Sequence, residues 1–451
     1  MEFKGKNVCV IGTGISGIGA TKLLTKVGAN VILYDGNDKL DKKEIESKFT
    51  DLSNIHIIIG KLTNELIESL DLLVLSPGVS IDVPIVEEIR NAGVKIWGEV
   101  ELAYNCGKGK VIAITGTNGK TTTTALTGEI MQNYFDSVFI VGNIGTPYTS
   151  VVDKMVENTV TVAEISSFQL ETIENFSPTV SAILNISPDH LNRHKTMDHY
   201  IAVKESITKN QTADNTCVLN YEDEVLREFA KTLNTNVIFF SSLNKLKKGI
   251  YIDNENIIYN SGENIDIICK TTELNILGRH NHENVMAAVA LSISVGVPIN
   301  VIRSTVIKFK AVEHRIEFVM EKNGVVYYND SKGTNPDAAI KGIQAMNRPT
   351  ILIGGGYDKN SDYVEWIQSF DGKVRQLVLI GQTKEQIADT AKSCGFHDII
   401  FAQSLKEAVQ ISATKAVEGD AVLLSPACAS WGMFQNYEER GKMFKDYVHN
   451  L

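Results

Sequence analysis

The sequence predicts an α/β chain of three domains: an N-terminal Rossmann-like domain, a central P-loop ATPase-like parallel sheet carrying a small β insertion, and a C-terminal doubly wound Rossmann-like domain. Three observations predict it. Short apolar runs alternate with amphipathic stretches along the chain, the pattern of parallel strands covered by helices on both faces. Two glycine turns, Gly12–Gly17 and Gly116–Thr122, each join an apolar run to a helical pattern. A length of 451 residues, 43% of them apolar, suits about three domains with sizeable cores. The expected boundaries are 1–98, 99–310 and 311–451.

In the first domain Val8–Ile11 reads as a buried strand, Gly12-Thr13-Gly14-Ile15-Ser16-Gly17 as a G-x-G-x-x-G turn, and Ile18–Val27 as the helix that follows. The next apolar run, Asn30–Tyr34, ends at Asp35, where a Rossmann domain sets an acid against a ribose hydroxyl. Taken alone, this pattern is also that of a nicotinamide dinucleotide site, or of glycines that serve only helix–strand packing. The alternation continues to Trp97, with a turn at Ser76-Pro77-Gly78.

The second domain opens on Lys110–Thr122, KVIAITGTNGKTT. A strand that feeds a helix through Gly116, Gly119 and Lys120 aims backbone N–H groups, the positive end of a helix dipole and one ammonium at one point, which suits a polyphosphate. Thr121 offers the hydroxyl that holds Mg²⁺ in such loops. Ile114 occupies the place of the first glycine of the common G-x-x-x-x-G-K-[ST] spacing, so this is a shortened relative of that loop. Strands are expected at Ser137–Val141, Val160–Ile165 and Thr179–Ile186, with helices near Met197–Lys209 and His282–Val295. Residues 217–275, polar with Asn and Gly turns, read as a small antiparallel insertion. Open α/β sheets bind ligands at the C-terminal ends of their strands. Glu164, closing its strand, and His190, in the Asp189-His190 pair after the next, are therefore metal-ligand candidates. Lys204 reads from its pattern alone as a solvated surface lysine.

The third domain opens near Ala311. Its strands are expected at Val325–Asn329, Thr350–Ile353, Gln376–Ile380, Asp398–Phe401 and Ala421–Leu424, with helices Lys384–Ser393 and Leu405–Ala416 between them.

A net charge of −10 argues against nucleic acid or an anionic membrane as a standing partner. The six cysteines are scattered without a C-x-x-C pair, which suggests neither a disulfide framework nor a zinc site and fits a reducing cytoplasm. The start MEFKGKNVCVIG lacks the apolar core of a signal peptide, and no run approaches the ~20 apolar residues of a membrane span.

Several runs together resemble the ATP-dependent Mur ligases: Gly116-Thr-Asn-Gly-Lys-Thr-Thr, Glu164, Asn185…Asp189-His190, Gly278-Arg-His-Asn281-His-Glu-Asn284, Glu313-His-Arg315, Asn329-Asp-Ser-Lys-Gly-Thr-Asn335 and Leu424-Ser-Pro-Ala-Cys-Ala-Ser430. The resemblance spans the whole chain in order. It implies one domain for a UDP moiety, one for ATP and one for an incoming amino acid, and a ligase that joins D-glutamate to UDP-N-acetylmuramoyl-L-alanine in peptidoglycan precursor synthesis. ATP and two Mg²⁺ ions are the implied cofactors, the partners are small molecules, and the chain is expected to act as a monomer.

Carried over by position, the resemblance implies that Gly116, Thr117, Asn118, Gly119, Lys120, Thr121 and Thr122 cradle the ATP phosphates, with Asn281, Arg315 and Asp330 as further ATP contacts. Thr121 and Glu164 would hold one Mg²⁺; His190 and Lys204 would serve a second, Lys204 as a carbamate. Lys120, His190 and Lys204 are the implied catalytic residues. Ser16, Asp35 and Gly36 match the uridine diphosphate site, and Asn143 a contact to the sugar-peptide. Lys332, Thr334, Lys359, Ser430 and Tyr437 match the amino-acid site. Three rivals stand beside this reading. A dehydrogenase leaves unexplained the second loop with Glu164 and His190, and a folylpolyglutamate synthase leaves unexplained the N-terminal glycine turn; a P-loop binding or switch protein without ligase chemistry is the non-enzymatic alternative, which phosphate release dependent on both an acyl acceptor and an amine would separate from a ligase.

Overall fold

The computed structural model describes residues 2–143, 145–359 and 361–451. It contains three sheets. The first holds β1 (Asn7–Ile11), β2 (Asn30–Asp35), β3 (Ile55–Ile59), β4 (Leu72–Leu75) and β5 (Lys95–Gly98). Its order is β3-β2-β1-β4-β5, and every pairing is parallel. The order reverses beside β1, and that reversal opens a crevice at the strand's C-terminal end, where the glycine turn begins. The helix after the turn runs Ile15–Lys26, three residues earlier than expected, because Gly14 is the extended N-cap and Ile15-Ser16-Gly17 are already helical. A Cβ on Gly17 would stand 1.8 Å from the Gly12 carbonyl oxygen. That approach, in which the helix crosses its own turn, excludes every larger residue.

The second sheet holds β6 (Lys110–Thr115), β7 (Val138–Gly142), β8 (Val160–Glu164), β9 (Val180–Ile183), β10 (Thr216–Asn220), β11 (Asn236–Ser241), β12 (Gly249–Asp253), β13 (Asn256–Asn260) and β14 (Ile265–Lys270). Its order is β14-β13-β12-β11-β10-β9-β6-β8-β7. Here one expectation needs correction. Of the segment read as an antiparallel insertion, only β12–β14 is antiparallel; β10 and β11 are parallel and continue the main sheet. The fully buried run Thr-Cys-Val-Leu-Asn of β10 has the continuous apolar character of a strand covered on both faces.

The third sheet holds β15 (Glu317–Lys322), β16 (Val325–Asn329), β17 (Thr350–Gly354), β18 (Val374–Leu379), β19 (Ile399–Phe401) and β20 (Ala421–Leu424), in the order β15-β16-β20-β17-β18-β19. β15 is antiparallel and went unforeseen. As an edge strand it is only partly buried, so Glu-Phe-Val-Met-Glu-Lys carries no apolar run to announce it. The other pairings are parallel. Separate apolar clusters cover the two faces, one around Trp366, Leu352 and Leu423 and one around Ile351, Val422 and Phe444.

The chain divides into two compact units, Met1–Lys270 with Glu283–Val306, and Thr271–His282 with Ile307–Leu451. Within the first, one continuous core runs from Val8 and Leu33 of the first sheet to Ala113 and Ile183 of the second. A buried polar joint reinforces it. Glu101, 0% exposed, sits in the helix Glu99–Cys106 and accepts from the backbone N–H groups of Glu174 (2.9 Å), Asn175 (2.7 Å) and Phe176 (3.0 Å). Asn105 Nδ2 donates a fourth bond at 2.7 Å. Two positions away, Glu99 accepts from the Thr149 N–H at 2.6 Å and its hydroxyl at 2.8 Å.

Glu101→Ala leaves three backbone donors without their acceptor inside the core. Since an unsatisfied buried group costs ~1–3 kcal/mol, the variant is expected to lose roughly 3 kcal/mol or more of unfolding free energy in urea melts. A loss under about 1 kcal/mol would mean that water replaces the carboxylate and the joint is not dry.

Candidate active site

β6 leaves the sheet at Thr115, and the chain turns through Gly116–Gly119 into the helix Lys120–Gln132. Gly119 is its N-cap at φ +84, and a Cβ there would stand 2.2 Å from Asn284 Oδ1. Asn185, just beyond β9, braces the turn. Its carbonyl accepts from the Thr117 N–H at 2.9 Å, its Oδ1 accepts from the Asn118 N–H at 2.8 Å, and its Nδ2 donates to the Asn118 carbonyl at 3.1 Å. The Thr117 hydroxyl donates to the Ser187 carbonyl at 3.0 Å and lies 3.2 Å from the Tyr200 hydroxyl. Thr121 and Thr122 are buried in the first helical turn.

Two lysines meet on this loop. Lys120 Nζ folds back to donate to the carbonyls of Gly116 (2.8 Å) and Thr117 (2.9 Å). Lys204 Nζ, from the helix Met197–Glu205, donates to the same Gly116 oxygen at 2.9 Å. Lys204 is not the surface lysine its sequence pattern suggested, for it is 1% exposed and lies over the Tyr200 ring at 4.7 Å. Burial, and then repulsion from Lys120, push its pKa down to about 6 against the opposing pull of Asp189. Its amine is largely neutral at pH 7.

Glu164 ends β8. Its Oε1 accepts from Asn143 Nδ2 at 2.9 Å, while Oε2 is buried with no hydrogen-bond partner. A buried carboxylate oxygen without a donor is an acceptor for a cation. His190 has φ +53 and caps the short helix Leu191–His194, with Nε2 3.4 Å from Asp189 Oδ2. Burial lowers its pKa; Asp189 opposes this, and Lys120, Lys204 and Arg193 add to it. The imidazole is thereby kept in the neutral form that ligates metals. The Thr121 hydroxyl and the Glu164 carboxylate are the oxygen donors that Mg²⁺ prefers, and His190 adds a nitrogen donor of the borderline kind.

At the first sheet, Asp35 Oδ2 accepts from the Thr13 N–H (3.1 Å) and hydroxyl (2.8 Å), and Oδ1 accepts from the Asn37 N–H (3.1 Å). These bonds seat the carboxylate beside the glycine turn. Ser16 lies in the first turn of the helix Ile15–Lys26, which has no acidic residue there and no side-chain cap, so its N-terminal N–H groups suit an anion. Gly36 is exposed next to Asp35.

In the second unit, Asp330 follows β16. Its carboxylate accepts from the Ser425 hydroxyl at 2.7 Å. Burial pushes its pKa up to about 7, although Ser425, Arg315 and Arg440 all oppose that rise. Lys332 Nζ lies 5.2 Å over the Tyr437 ring. Ser430 is buried, and Lys359 Nζ lies 4.7 Å over the ring of the neighbouring Trp431. Thr334 donates its N–H to the Lys332 carbonyl at 2.8 Å, and Asn281 Nδ2 donates to the Leu277 carbonyl at 2.7 Å. Sequence reasoning missed the residue that ties this region together. Arg440, 1% exposed, donates to the Ser331 hydroxyl (3.0 Å), the Cys428 carbonyl (3.1 Å) and the Ser331 carbonyl (2.7 Å). The signal was present: Arg440, Phe444 and Val448 fall at i, i+4 and i+8 on the buried stripe of the last helix, and an arginine in an apolar stripe needs fixed acceptors.

Residues 6–98 match the Mur ligase MurD-like N-terminal domain, residues 114–292 the Mur ligase middle domain, and residues 314–428 the Mur ligase glutamate ligase domain. A UDP-N-acetylmuramoylalanine–D-glutamate ligase of Lachnospira eligens is 58% identical over the whole of both chains. One from Lachnoclostridium phytofermentans is 56% identical over 100% of this chain and 99% of its own. A crystal structure of MurF ligase from Thermotoga maritima in complex with ADP shares the fold, with a TM-score of 0.60 and 17% identity over 100% of this chain and 96% of the other.

Asp330 allows a test that needs no ligand. With its folded pKa near 7 and an ordinary unfolded value near 4, the folded protein binds the extra proton. That contribution is complete below the unfolded pKa and is lost as pH rises through 7. Relative to Asp330→Asn, the native protein should lose on the order of 3 kcal/mol of stability between pH 5 and pH 8, measured by denaturant unfolding. Parallel pH curves for the two proteins would show that Asp330 is ionised throughout.

Proposed function

Because the chain belongs to the Mur ligase family, we propose that it performs the reaction for which its full-length relatives are named. It is an ATP-dependent ligase that adds D-glutamate to UDP-N-acetylmuramoyl-L-alanine, giving ADP and phosphate, in peptidoglycan precursor synthesis. One observation supports the catalytic assignment above the rest. Lys120 and Lys204 share the Gly116 carbonyl in the same unit that holds the unpartnered Glu164 oxygen.

A carboxylate is a poor electrophile. The L-alanyl carboxylate of the substrate first attacks the γ-phosphate of ATP, which forms an acyl phosphate and releases ADP. The amine of D-glutamate then attacks the acyl carbon, and phosphate leaves as the amide forms. Negative charge gathers in both steps. The Lys120 ammonium, released from the loop carbonyls as the phosphates take their place, would oppose it. Thr117, Asn118 and Gly119 are assigned to the ATP phosphates in a turn braced by Asn185, and Asn281, Arg315 and Asp330 are assigned as further ATP contacts. Two Mg²⁺ ions, held by Thr121, Glu164, His190 and Lys204, would supply further charge neutralisation. Lys204 takes that part as a carbamate. Its neutral amine attacks the carbon of CO₂ and loses a proton, which turns a nitrogen donor into a carboxylate-like ligand.

Ser16, Asp35 and Gly36 are assigned to the uridine diphosphate, with the diphosphate on the uncapped helix N-terminus, and Asn143 to the sugar-peptide. Lys332, Thr334, Lys359, Ser430 and Tyr437 are assigned to D-glutamate, whose two carboxylates need cationic and hydroxyl partners once buried. Among the described residues no helix is long and apolar enough to cross a membrane. All six cysteines are free thiols, which suits a reducing cytoplasm; we also infer a monomer.

The reaction is tested by phosphate release, which should require UDP-N-acetylmuramoyl-L-alanine and D-glutamate together; release with either one alone would sink the ligase reading. Lys120→Ala should reduce kcat by about 10³-fold in a folded protein, the scale of losing one charge-stabilising group. Lys204→Ala should lose most activity and regain part of it with added formate or acetate, while full activity without rescue would dismiss the carbamate. Lys359→Ala should raise KM for D-glutamate by roughly 10–100-fold, the ~1.5–3 kcal/mol of a charged hydrogen bond, and leave KM for ATP near its native value. An equal rise for both would remove Lys359 from the glutamate site.

A further inference from the structure

A second cluster of metal-type donors lies beside the loop that carries His190, and nothing in the ligase reaction uses it. Glu171, His194 and His199 each offer one ligand atom, and the three atoms lie within 4.8 Å of one another. Three short helices bring them together. Glu171 is the C-cap of Ser167–Leu170, His194 ends Leu191–His194, and His199 stands in the first turn of Met197–Glu205.

His194 supplies the observation that points to a ligand. Its side chain is fully buried and its Nε2 shares a hydrogen bond with the Ser167 hydroxyl at 2.9 Å, yet its Nδ1 has no hydrogen-bond partner. The atom facing Nδ1, at 3.5 Å, is Glu171 Oε1. When the Nε2 proton is donated to Ser167, a lone pair on Nδ1 faces a carboxylate oxygen, two acceptors with nothing between them. A cation resolves that opposition. For a tetrahedral ion with bonds of ~2.0–2.2 Å to nitrogen and oxygen, neighbouring donors stand about 3.3–3.5 Å apart, and His194 Nδ1 and Glu171 Oε1 already do. The other face of each ligand is prepared as outer-sphere partners prepare it. Ser167 orients the imidazole, and Arg193 binds the second Glu171 oxygen at 2.5 Å while stacking 3.9 Å over Phe168. His199 is exposed, so the site opens to solvent on its side and leaves room for a water as fourth ligand.

We propose that Glu171, His194 and His199 form a zinc-type site, distinct from the Mg²⁺ ligands, for one divalent transition ion. Two imidazoles and one carboxylate form a donor set for zinc and its neighbours rather than for Mg²⁺, which prefers oxygen and an octahedron. Bound there, the ion cross-links the three helices around His190 and Lys204 and anchors that segment.

The test uses the full-length protein stripped of metal and then saturated with Mg²⁺. Zn²⁺ binding is followed by equilibrium dialysis with elemental analysis, and Co²⁺ is titrated as a visible-absorbing substitute. The expected result is one Zn²⁺ per chain and a tetrahedral Co²⁺ spectrum. His199→Ala and Glu171→Gln should each weaken Zn²⁺ affinity at least about tenfold, while His190→Ala retains it. His199 is at the surface, so its replacement should leave the far-UV spectrum unchanged and abolish the zinc-dependent rise in Tm. No zinc taken up over Mg²⁺, or zinc lost in His190→Ala and kept in His199→Ala, overturns the proposal.

Discussion

The carbonyl oxygen of Gly116 accepts two lysine side chains, Lys120 and Lys204, and the character of the surrounding site depends on that sharing. Two ammonium groups that share one acceptor repel each other, so both cannot stay charged without cost. Burial decides between them. Lys204 is enclosed and held down to a pKa of about 6, which makes it the group that gives up its proton. The arrangement requires the glycine turn to sit where Asn185 holds it, and it requires the helix Met197–Glu205 to start where Thr196 caps it, accepting from the His199 N–H.

The same physical cause acts on other groups with opposite sign. Desolvation favours the neutral form, so it lowers Lys204 and His190 and raises Asp330. Groups whose ordinary values lie far apart are thereby drawn toward neutrality, where acid–base and metal-binding behaviour respond to small changes in surroundings. Arg440 marks the limit of this effect. Burial lowers its pKa only to about 10, so it remains a cation and must be met by fixed acceptors. It meets them on Ser331 and Cys428, and it thereby links the segment after β16 to the segment after β20.

Much of this was legible in the chain. The strand–turn–helix order at Lys110–Thr122, the acid at the end of β8 and the histidine after β9 follow from local rules about where open α/β sheets place ligands. The parallel strands Val325–Asn329 and Ala421–Leu424 were readable because strands buried on both faces are apolar throughout. The edge strand β15 was not, since one exposed face dilutes its pattern. Nor was the parallel pairing of β10 and β11, because polar turns between short strands look alike whichever direction the next strand takes.

By itself, then, the sequence determined the identity and order of the chemical groups: two glycine turns, the lysine that closes one of them, and three α/β domains in succession. Periodicity and local spacing encode these, and both are properties of neighbouring residues. What only the tertiary structure decided is which groups lose water and which meet across long stretches of chain. Lys204 looked like a solvated cation until the fold brought its amine onto Gly116, 88 positions away along the chain, and Glu164 was a candidate by its place at a strand end until the fold left one of its buried oxygens without a donor. Desolvation is a property of the enclosing fold, so the same side chain can be an ordinary surface charge in one chain and a neutral ligand precursor in another.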